Sequence, residues 1–518
     1  MEIVQIRMGS LTRSAPVTEE IVVGKDVLEL VAGAMYVDPL TVYREYIQNA
    51  ADAIDEARNS GAIFGTDSHV MITLDHAERS VKIRDVGIGI RSSEFVRRLT
   101  AIGASCKRGT KQRGFRGVGR LSGLGYCQEL IFRSRSEGDS KIRELRWDSR
   151  GLREKLRDPS YLGSLSDLIR SVTTTSNLID DGTFPAHFFE VEMRKVIRIK
   201  NDLLMNENEI RTYLAQVAPV PFASDFKLGR QVRQRLSEFG VNEPIGIELN
   251  DDRGIIYHRA VGQIQFNKQT TLTFDDYKFV ELKNSAGEVL AVGWLLEHGY
   301  LGAMPRTSNL GGIRLRLRDV QVGDSQVLAP LFTEQRFCTW PVGELHVVHP
   351  RIVPNGRRDD FEYSAVYAEL QDELRRLVSE ISQTIRNRSE TRQRAKRIGL
   401  TIAYAKKWAA IAQRKTLHET IRRAALEQAE HHSDLMEKYR SKMPPDTDIE
   451  ASVEKIKAQI KRLNDSLYTK RKANVRVSPG CTKSALAAVS AILSSTLNAD
   501  KTIPMAERVL AAMEGRLK

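Results

Sequence analysis

Residues 43–55 read Tyr43-Arg44-Glu45-Tyr46-Ile47-Gln48-Asn49-Ala50-Ala51-Asp52-Ala53-Ile54-Asp55. They lie inside a helical pattern over 39–58. On a helix Glu45, Asn49 and Asp52 are spaced i, i+4, i+7, so the three polar side chains share one face. Taken alone this is a common charged helix face, and its meaning comes from three segments downstream. The first is Asp85-Val86-Gly87-Ile88-Gly89-Ile90, directly after the strand pattern Ser80-Val81-Lys82-Ile83-Arg84. An acid at a strand end is followed there by glycines that let backbone approach a ligand. The second is Arg113-Gly114-Phe115-Arg116-Gly117-Val118-Gly119-Arg120-Leu121, between a Ser/Lys/Gly-rich loop (103–112) and a helix expected from Leu121. Glycines ahead of a helix supply exposed N–H groups and the positive end of its dipole, which suits a phosphate. The GxxGxG spacing differs from the Rossmann GxGxxG and the Walker GxxxxGK[ST], so neither of those folds is indicated. The third is Gly182-Thr183 ahead of a strand pattern over 187–193, where a hydroxyl could help fix an adenine edge.

In this order, the four segments resemble the Bergerat (GHKL) ATP-binding fold shared by DNA gyrase B, the heat-shock chaperones, sensor histidine kinases and the mismatch-repair MutL proteins. Agreement among several spaced motifs is far more specific than any one of them. The Arg44-Glu45 to Ile54 segment, the Asp85 loop, the Gly114 to Gly119 turn and a preceding helical pattern over 26–36 look most like the ninety-kilodalton heat-shock chaperone branch. The likeness is strong over about 22–198, weaker to 365 and absent beyond. It implies an ATPase that uses Mg²⁺. Glu45 would act as general base on the attacking water, and Asn49 would give its side-chain oxygen to the metal. Asp85 would accept the adenine amino hydrogen with support from Thr183, while Gly87 and Gly89 let base and ribose sit close. The N–H groups of Gly114, Gly117, Val118 and Gly119 would hold the phosphates. Asp52 is either a water-mediated adenine or metal contact or an ordinary residue of that helix face. Residues 103–113 would be the lid, with Lys107 and Arg108 as solvated charges.

Further on, Val353-Pro354-Asn355-Gly356-Arg357-Arg358-Asp359-Asp360-Phe361 resembles the catalytic loop of the chaperones' middle domain. By that likeness Arg358 reaches the γ-phosphate and offsets charge during phosphoryl transfer. Arg357 is the adjacent alternative, and an ordinary surface turn is the plainer reading.

Four domains are expected. Residues 1–198 mix helix and strand patterns and read as an α/β Bergerat domain, a sheet with helices on one face. Residues 199–365 have a short helix ending at Pro219-Val220-Pro221, then apolar alternation, as at 277–282 and 289–296 around Asn284-Ser285-Ala286-Gly287, and read as an α+β middle, transducer-like domain. Residues 366–475 read as a long helical hairpin broken at Pro444-Pro445. Beyond that break Ile449, Val453, Ile456, Ile460, Leu463 and Leu467 form the seam of a coiled coil, most simply packed within the chain. Residues 476–518 read as a short helical segment.

Of the 518 residues, 41% are hydrophobic and 28% charged, ordinary for a soluble protein, and no stretch is long and apolar enough to span a membrane. The first twenty residues lack the layout of a secretory signal. Cys106, Cys127, Cys338 and Cys481 lie far apart without metal-ligand spacing, arguing against a disulfide framework or zinc site and for a reducing cytoplasm. The net charge of +13 is localised: residues 1–370 carry 49 Lys/Arg and 49 Asp/Glu, whereas 371–518 carry 30 and 17. The basic stretch over 371–518 is either a solvated helix face or a surface for an acidic partner. Two roles follow: an ATP-driven clamp, homodimeric when ATP-bound, that remodels a protein client or partner subunit; or a nucleic-acid clamp like MutL or the microrchidia (MORC) ATPases, using residues 371–480. A sensor kinase is disfavoured because the second domain follows the ATP site.

Overall fold

The computed structural model describes residues 25, 38–62, 69–102, 119–250, 254–441, 447–468, 487–492 and 499–513. The helical pattern over 26–36, the lid, Gly114, Gly117, Val118 and Pro444-Pro445 lie outside these. By contact density the chain separates into two compact units, residues 1–381 and 382–518.

In the first unit, helix α1 (Thr41–Ser60) buries Tyr43, Tyr46, Ile47, Ala50, Ala51, Ile54 and Ala57, a three-and-four spacing that turns one stripe to the core. It ends at Gly61, whose φ of 75° places its N–H on the carbonyls of Ala57 and Arg58, the usual glycine stop. Strands β1 (His69–Asp75) and β2 (Ser80–Asp85) pair antiparallel with Asp75 opposite Ser80 and Val70 opposite Asp85. After them come α2 (Phe95–Thr100), β3 (Glu129–Arg135), β4 (Ile142–Asp148), α3 (Ser149–Arg157), α4 (Leu165–Val172), β5 (Thr173–Leu178) and β6 (Phe188–Arg194). Asp148 and Ser164 cap α3 and α4 by accepting from Gly151 N and Asp167 N. The region expected to be a helix from Leu121 is instead a 3₁₀ turn, Gly119–Gly125. Three glycines in seven residues disfavour an α-helix, and Gly123 N donates to the Tyr46 hydroxyl at 2.9 Å.

The sheet order is β5-β4-β3-β6-β2-β1-β7, and β7 (Gly246–Leu249) runs parallel to β1 from His69/Gly246 to Ile72/Leu249. A domain boundary at 198 therefore does not separate the sheets: the edge strand of the first comes from the segment expected to belong to the second. One face of this sheet, with Leu130, Phe132, Val191 and Met193, shares a buried cluster with side chains of α1, α2, α3, α4 and α5 (Glu207–Val217). On the other face Arg133 meets Glu144 at 2.8 Å and Glu190 and Glu192 at 2.6 Å each. These are alternate residues of adjacent strands, so the pleat brings them together.

A second sheet has the order β10-β11-β14-β12-β13. It is built from β10 (Tyr277–Lys283), β11 (Val289–Leu296), β12 (Gly312–Leu317), β13 (Val320–Val322) and β14 (Val342–Val347), beside a small pair, β8 (Gln263–Asn267) and β9 (Thr270–Thr273). Helix α6 (Gly229–Ser237) packs on it, with Val232 and Leu236 in one cluster with Trp294 and Val342.

Helix α7 (Ala365–Gln413) is followed by α8 (Glu419–Arg440), α9 (Thr447–Tyr468) and α10 (Ala499–Met513). The expected two-helix hairpin is thus interrupted a second time, after Gln413, where Arg414-Lys415-Thr416-Leu417-His418 contains no glycine or proline to mark it. His418 caps the new helix by accepting from Thr420 N. In the second unit Ile456, Ile460, Leu463 and Leu467 are buried with Trp408, Ile411, Ile421 and Leu426, so the apolar seam faces neighbouring helices of the same chain. Among the described residues no helix is long and apolar enough to cross a membrane.

Candidate active site

Helix α1 presents Glu45 and Asp52 buried and Asn49 half-buried along the face expected from their spacing. The Glu45 carboxylate is enclosed from three directions. Arg358 Nε stands 3.0 Å from its Oε1, Arg44 Nε stands 3.8 Å from the same oxygen, and the Gly119 backbone approaches so closely that a β-carbon there would be driven into Oε2. The turn that carries the last glycine of GxxGxG is thereby placed against the helix that carries Glu45.

Arg358 reaches Glu45 from a closed loop. Pro354 and Phe361 form an antiparallel bridge, Asn355 N donates to Asp360 O at 2.8 Å, and the Asn355 side chain donates to Asp359 at 2.5 Å. Arg358 itself has φ of 57°, a left-handed conformation uncommon outside glycine, and its carbonyl accepts from Gly323 N at 2.8 Å. Arg357 contributes through its backbone: Arg44 Nη2 donates to the Arg357 carbonyl at 3.3 Å.

At the end of β2, Asp85 is buried and accepts from Gly87 N at 2.8 Å. Burial pushes its carboxyl up to about 7, against the opposing main-chain donors of Gly87 and Phe189. Gly87 lies on α1: an added β-carbon would sit 2.5 Å from Ala53 Cβ and 2.8 Å from Asp85 Oδ1. Gly89 has φ of 68° and is pressed against the Arg135 carbonyl. Both positions therefore exclude other side chains. Two residues missed in the sequence support this turn: His187 Nδ1 bonds Gly87 O at 2.8 Å, and the Ser134 hydroxyl accepts from Ile90 N at 2.8 Å while donating to Phe188 O. Their partners are main-chain atoms, which leave no signature in side-chain spacing. Thr183 is exposed and its hydroxyl donates to Asp181 at 2.6 Å, so in this structure it caps its own turn.

Among the described residues, no cluster of three or more His, Cys, Asp or Glu side chains suits a metal ion. A lone Asn49 oxygen is nonetheless compatible with Mg²⁺, which keeps waters and substrate phosphates as most of its ligands.

Residues 38–161 match the family described as histidine kinase-, DNA gyrase B-, and HSP90-like ATPase. The chain carries a GHKL-type ATPase domain. Similar curated proteins include chaperone protein HtpG of Idiomarina loihiensis, 28% identical over 145 residues, and that of Polaromonas naphthalenivorans, 32% identical over 145 residues. Each of these matches covers 24% of this chain and 23% of the relative. The HtpG of Natranaerobius thermophilus is 25% identical over 199 residues, 35% of this chain and 31% of the relative. The chain thus matches about a quarter to a third of these relatives' length, and the matched ATPase segment contains α1, the Asp85 turn and Gly119.

Proposed function

We propose that the chain is an ATP-driven clamp that hydrolyses ATP to ADP and phosphate and uses closure to remodel a protein client or partner subunit, two copies joining in the ATP-bound form. The observation that carries this reading is the Arg358–Glu45 ion pair at 3.0 Å. It ties a loop beyond the second sheet to the carboxylate on α1. In the reading, Asp85 accepts the adenine amino hydrogen beside the turn that Gly87 and Gly89 let pack closely against α1 and the Arg135 carbonyl. Asn49 holds Mg²⁺, which offsets phosphate charge when bound. Glu45 orients the water and takes its proton, once Arg358 has turned from the carboxylate toward the γ-phosphate, where its charge meets the charge developing in transfer. Until then the guanidinium keeps the base engaged, so hydrolysis waits on the loop.

The test is phosphate release by the full chain with Mg²⁺. Glu45→Ala should retain ATP and lose roughly 10² to 10⁴ in turnover, the range for a positioned base, and EDTA should abolish release in the unsubstituted protein. Normal hydrolysis by Glu45→Ala would assign the water to another group. Duplex DNA binding, titrated with salt, separates the client reading from the nucleic-acid one: a steep loss of affinity with salt, dependent on residues 371–480, would favour the latter.

A further inference from the structure

The second sheet holds a cavity of about 640 Å³, between α6 with its preceding loop and the face of β14 that bears Glu344 and His346. That is far more than a few waters occupy and within the size of small-molecule sites. Three zones line it. Apolar surface comes from Val220, Phe222, Phe226 and Pro244. Lys227 and Arg230 are exposed on its wall, and neither has an ion-pair partner among the described residues. The inner end carries His258, Asp319, Glu344 and His346, all buried.

The inner end follows from register. In the parallel pair, Arg314 lies beside Glu344 and Arg316 beside His346, on one face of the sheet. Glu344 takes Arg316 Nε at 2.8 Å, His258 Nε2 at 3.0 Å and Arg259 Nη2 at 3.3 Å. Burial favours its neutral form, yet Arg316, His258 and Arg259 hold it well below the usual carboxylate range. Asp319 takes Arg233 at 3.0 Å, and Arg233 Nε also lies 3.8 Å from Glu243. Buried Arg259, Arg314 and Arg316 thus face buried Glu344 and Asp319, an excess of positive charge.

Arg233, Arg259, Arg314 and Arg316 each leave Nε without a hydrogen bond but bond through their terminal nitrogens, whereas His346, 1% exposed, bonds through neither ring nitrogen. Nδ1 stands 3.7 Å from Asp319 Oδ1 and Nε2 stands 4.0 Å from Glu344 Oε2, both beyond bonding range. Burial pushes the imidazole down to about 4, so it is neutral, with one donor and one acceptor. An unpartnered buried polar group costs free energy unless something pairs with it.

We propose that this cavity binds a small organic anion with a planar apolar body and a hydroxyl at its far end. The anionic group meets Lys227 and Arg230, the ring lies against Phe222 and Pro244, and the hydroxyl bonds His346. A hydroxyl both donates and accepts, which suits a neutral imidazole flanked by carboxylates.

Isothermal titration of the full chain, with saturating ADP to occupy the ATPase pocket, tests this with 4-hydroxyphenyl phosphate, phenyl phosphate and inorganic phosphate as probes. The hydroxylated probe should bind, and removal of its hydroxyl should weaken it about fivefold or more. The double substitution Lys227→Ala/Arg230→Ala, on the surface, should weaken it about tenfold. In His346→Leu the two aryl probes should bind alike. The proposal is overturned if no probe binds, if ADP displaces it, if inorganic phosphate binds as tightly as the aryl probes, or if the hydroxyl makes no difference in the unsubstituted protein. Should His346→Leu fail to fold, the probe pair and the surface substitutions still decide between these outcomes.

Discussion

Asp85 brings a carboxylate to the end of β2 and is buried there, and this sets two expectations. A hydrogen bond to a charged group contributes roughly 1.5 to 3 kcal/mol, so Asp85→Asn should weaken ATP binding by about 10- to 150-fold, read by titration calorimetry. Unchanged affinity in a folded variant would remove Asp85 from the site. Because burial raises this carboxyl to about 7, its ionised, accepting form is depleted as pH falls. ATP affinity should therefore decline below about pH 7 in the native protein and lose that slope in Asp85→Asn. For the empty fold the sign is opposite. A raised carboxyl contributes stability that is full below the ordinary carboxylate range and lost as pH rises through about 7, so thermal melts of the ligand-free protein should show the reverse trend. At this scale the sequence reading anticipated where side chains in helical or strand-end positions are placed. Glu45 and Asp52 are buried and Asn49 half-buried on one face of α1, as spacing requires. It did not reach His187, Ser134 or the pairing of Thr183 with Asp181, because main-chain partners and local turn bonds carry no periodic signal. Nor could it reach Arg314 and Arg316, which alternate with apolar residues as solvent-facing positions would, yet are fully buried.

Elements with strong periodicity were legible nearly to the residue. The pattern over 39–58 became α1 at Thr41–Ser60, the strand at 80–84 became Ser80–Asp85, and 289–296 became Val289–Leu296. Elements whose existence depends on distant partners were not. β7 is four residues long and owes its place to parallel pairing with β1, more than 170 positions earlier. The break after Gln413 has no glycine or proline. The seam of α9 was visible as spacing, and burial now supplies its energetics. Ile456 is 1% exposed, in a cluster with Trp408 and Ile421. Ile456→Ala should cost about 2 to 5 kcal/mol through lost transfer free energy and a residual cavity. Denaturant unfolding should show this loss in the helical unit with ATP affinity unchanged. A loss below about 1 kcal/mol would mean that the seam is not packed as described.

At the scale of the whole molecule, the loop beyond the second sheet meets helix α1 at a pair of charges. Arg358→Ala should cut hydrolysis about 10³-fold, within the range of arginines that act on a γ-phosphate, while ATP affinity changes little. Arg357→Ala should do much less, because Arg357 reaches α1 through its carbonyl, which the substitution keeps. Equal mild effects on turnover in both variants would sink the assignment of Arg358 and leave the nucleotide pocket standing. The shared sheet has a further effect. A chain cut at residue 198 lacks β7 and leaves the β1 edge unpaired, with Ile247 and Leu249 no longer covering the core. Each such side chain contributes about 1.5 to 3 kcal/mol. Thermal unfolding of residues 1–198 should therefore fall well below that of residues 1–250, and equal melting would show the strand to be dispensable. Seen from evolution and engineering, the nucleotide module is then not a free-standing cassette. Recombination that grafts it onto another protein at the apparent linker near 198 would carry away an open sheet prone to edge-to-edge aggregation. A viable exchange must move the intervening fifty residues with it, so the ATPase domain travels only together with the segment that completes its sheet.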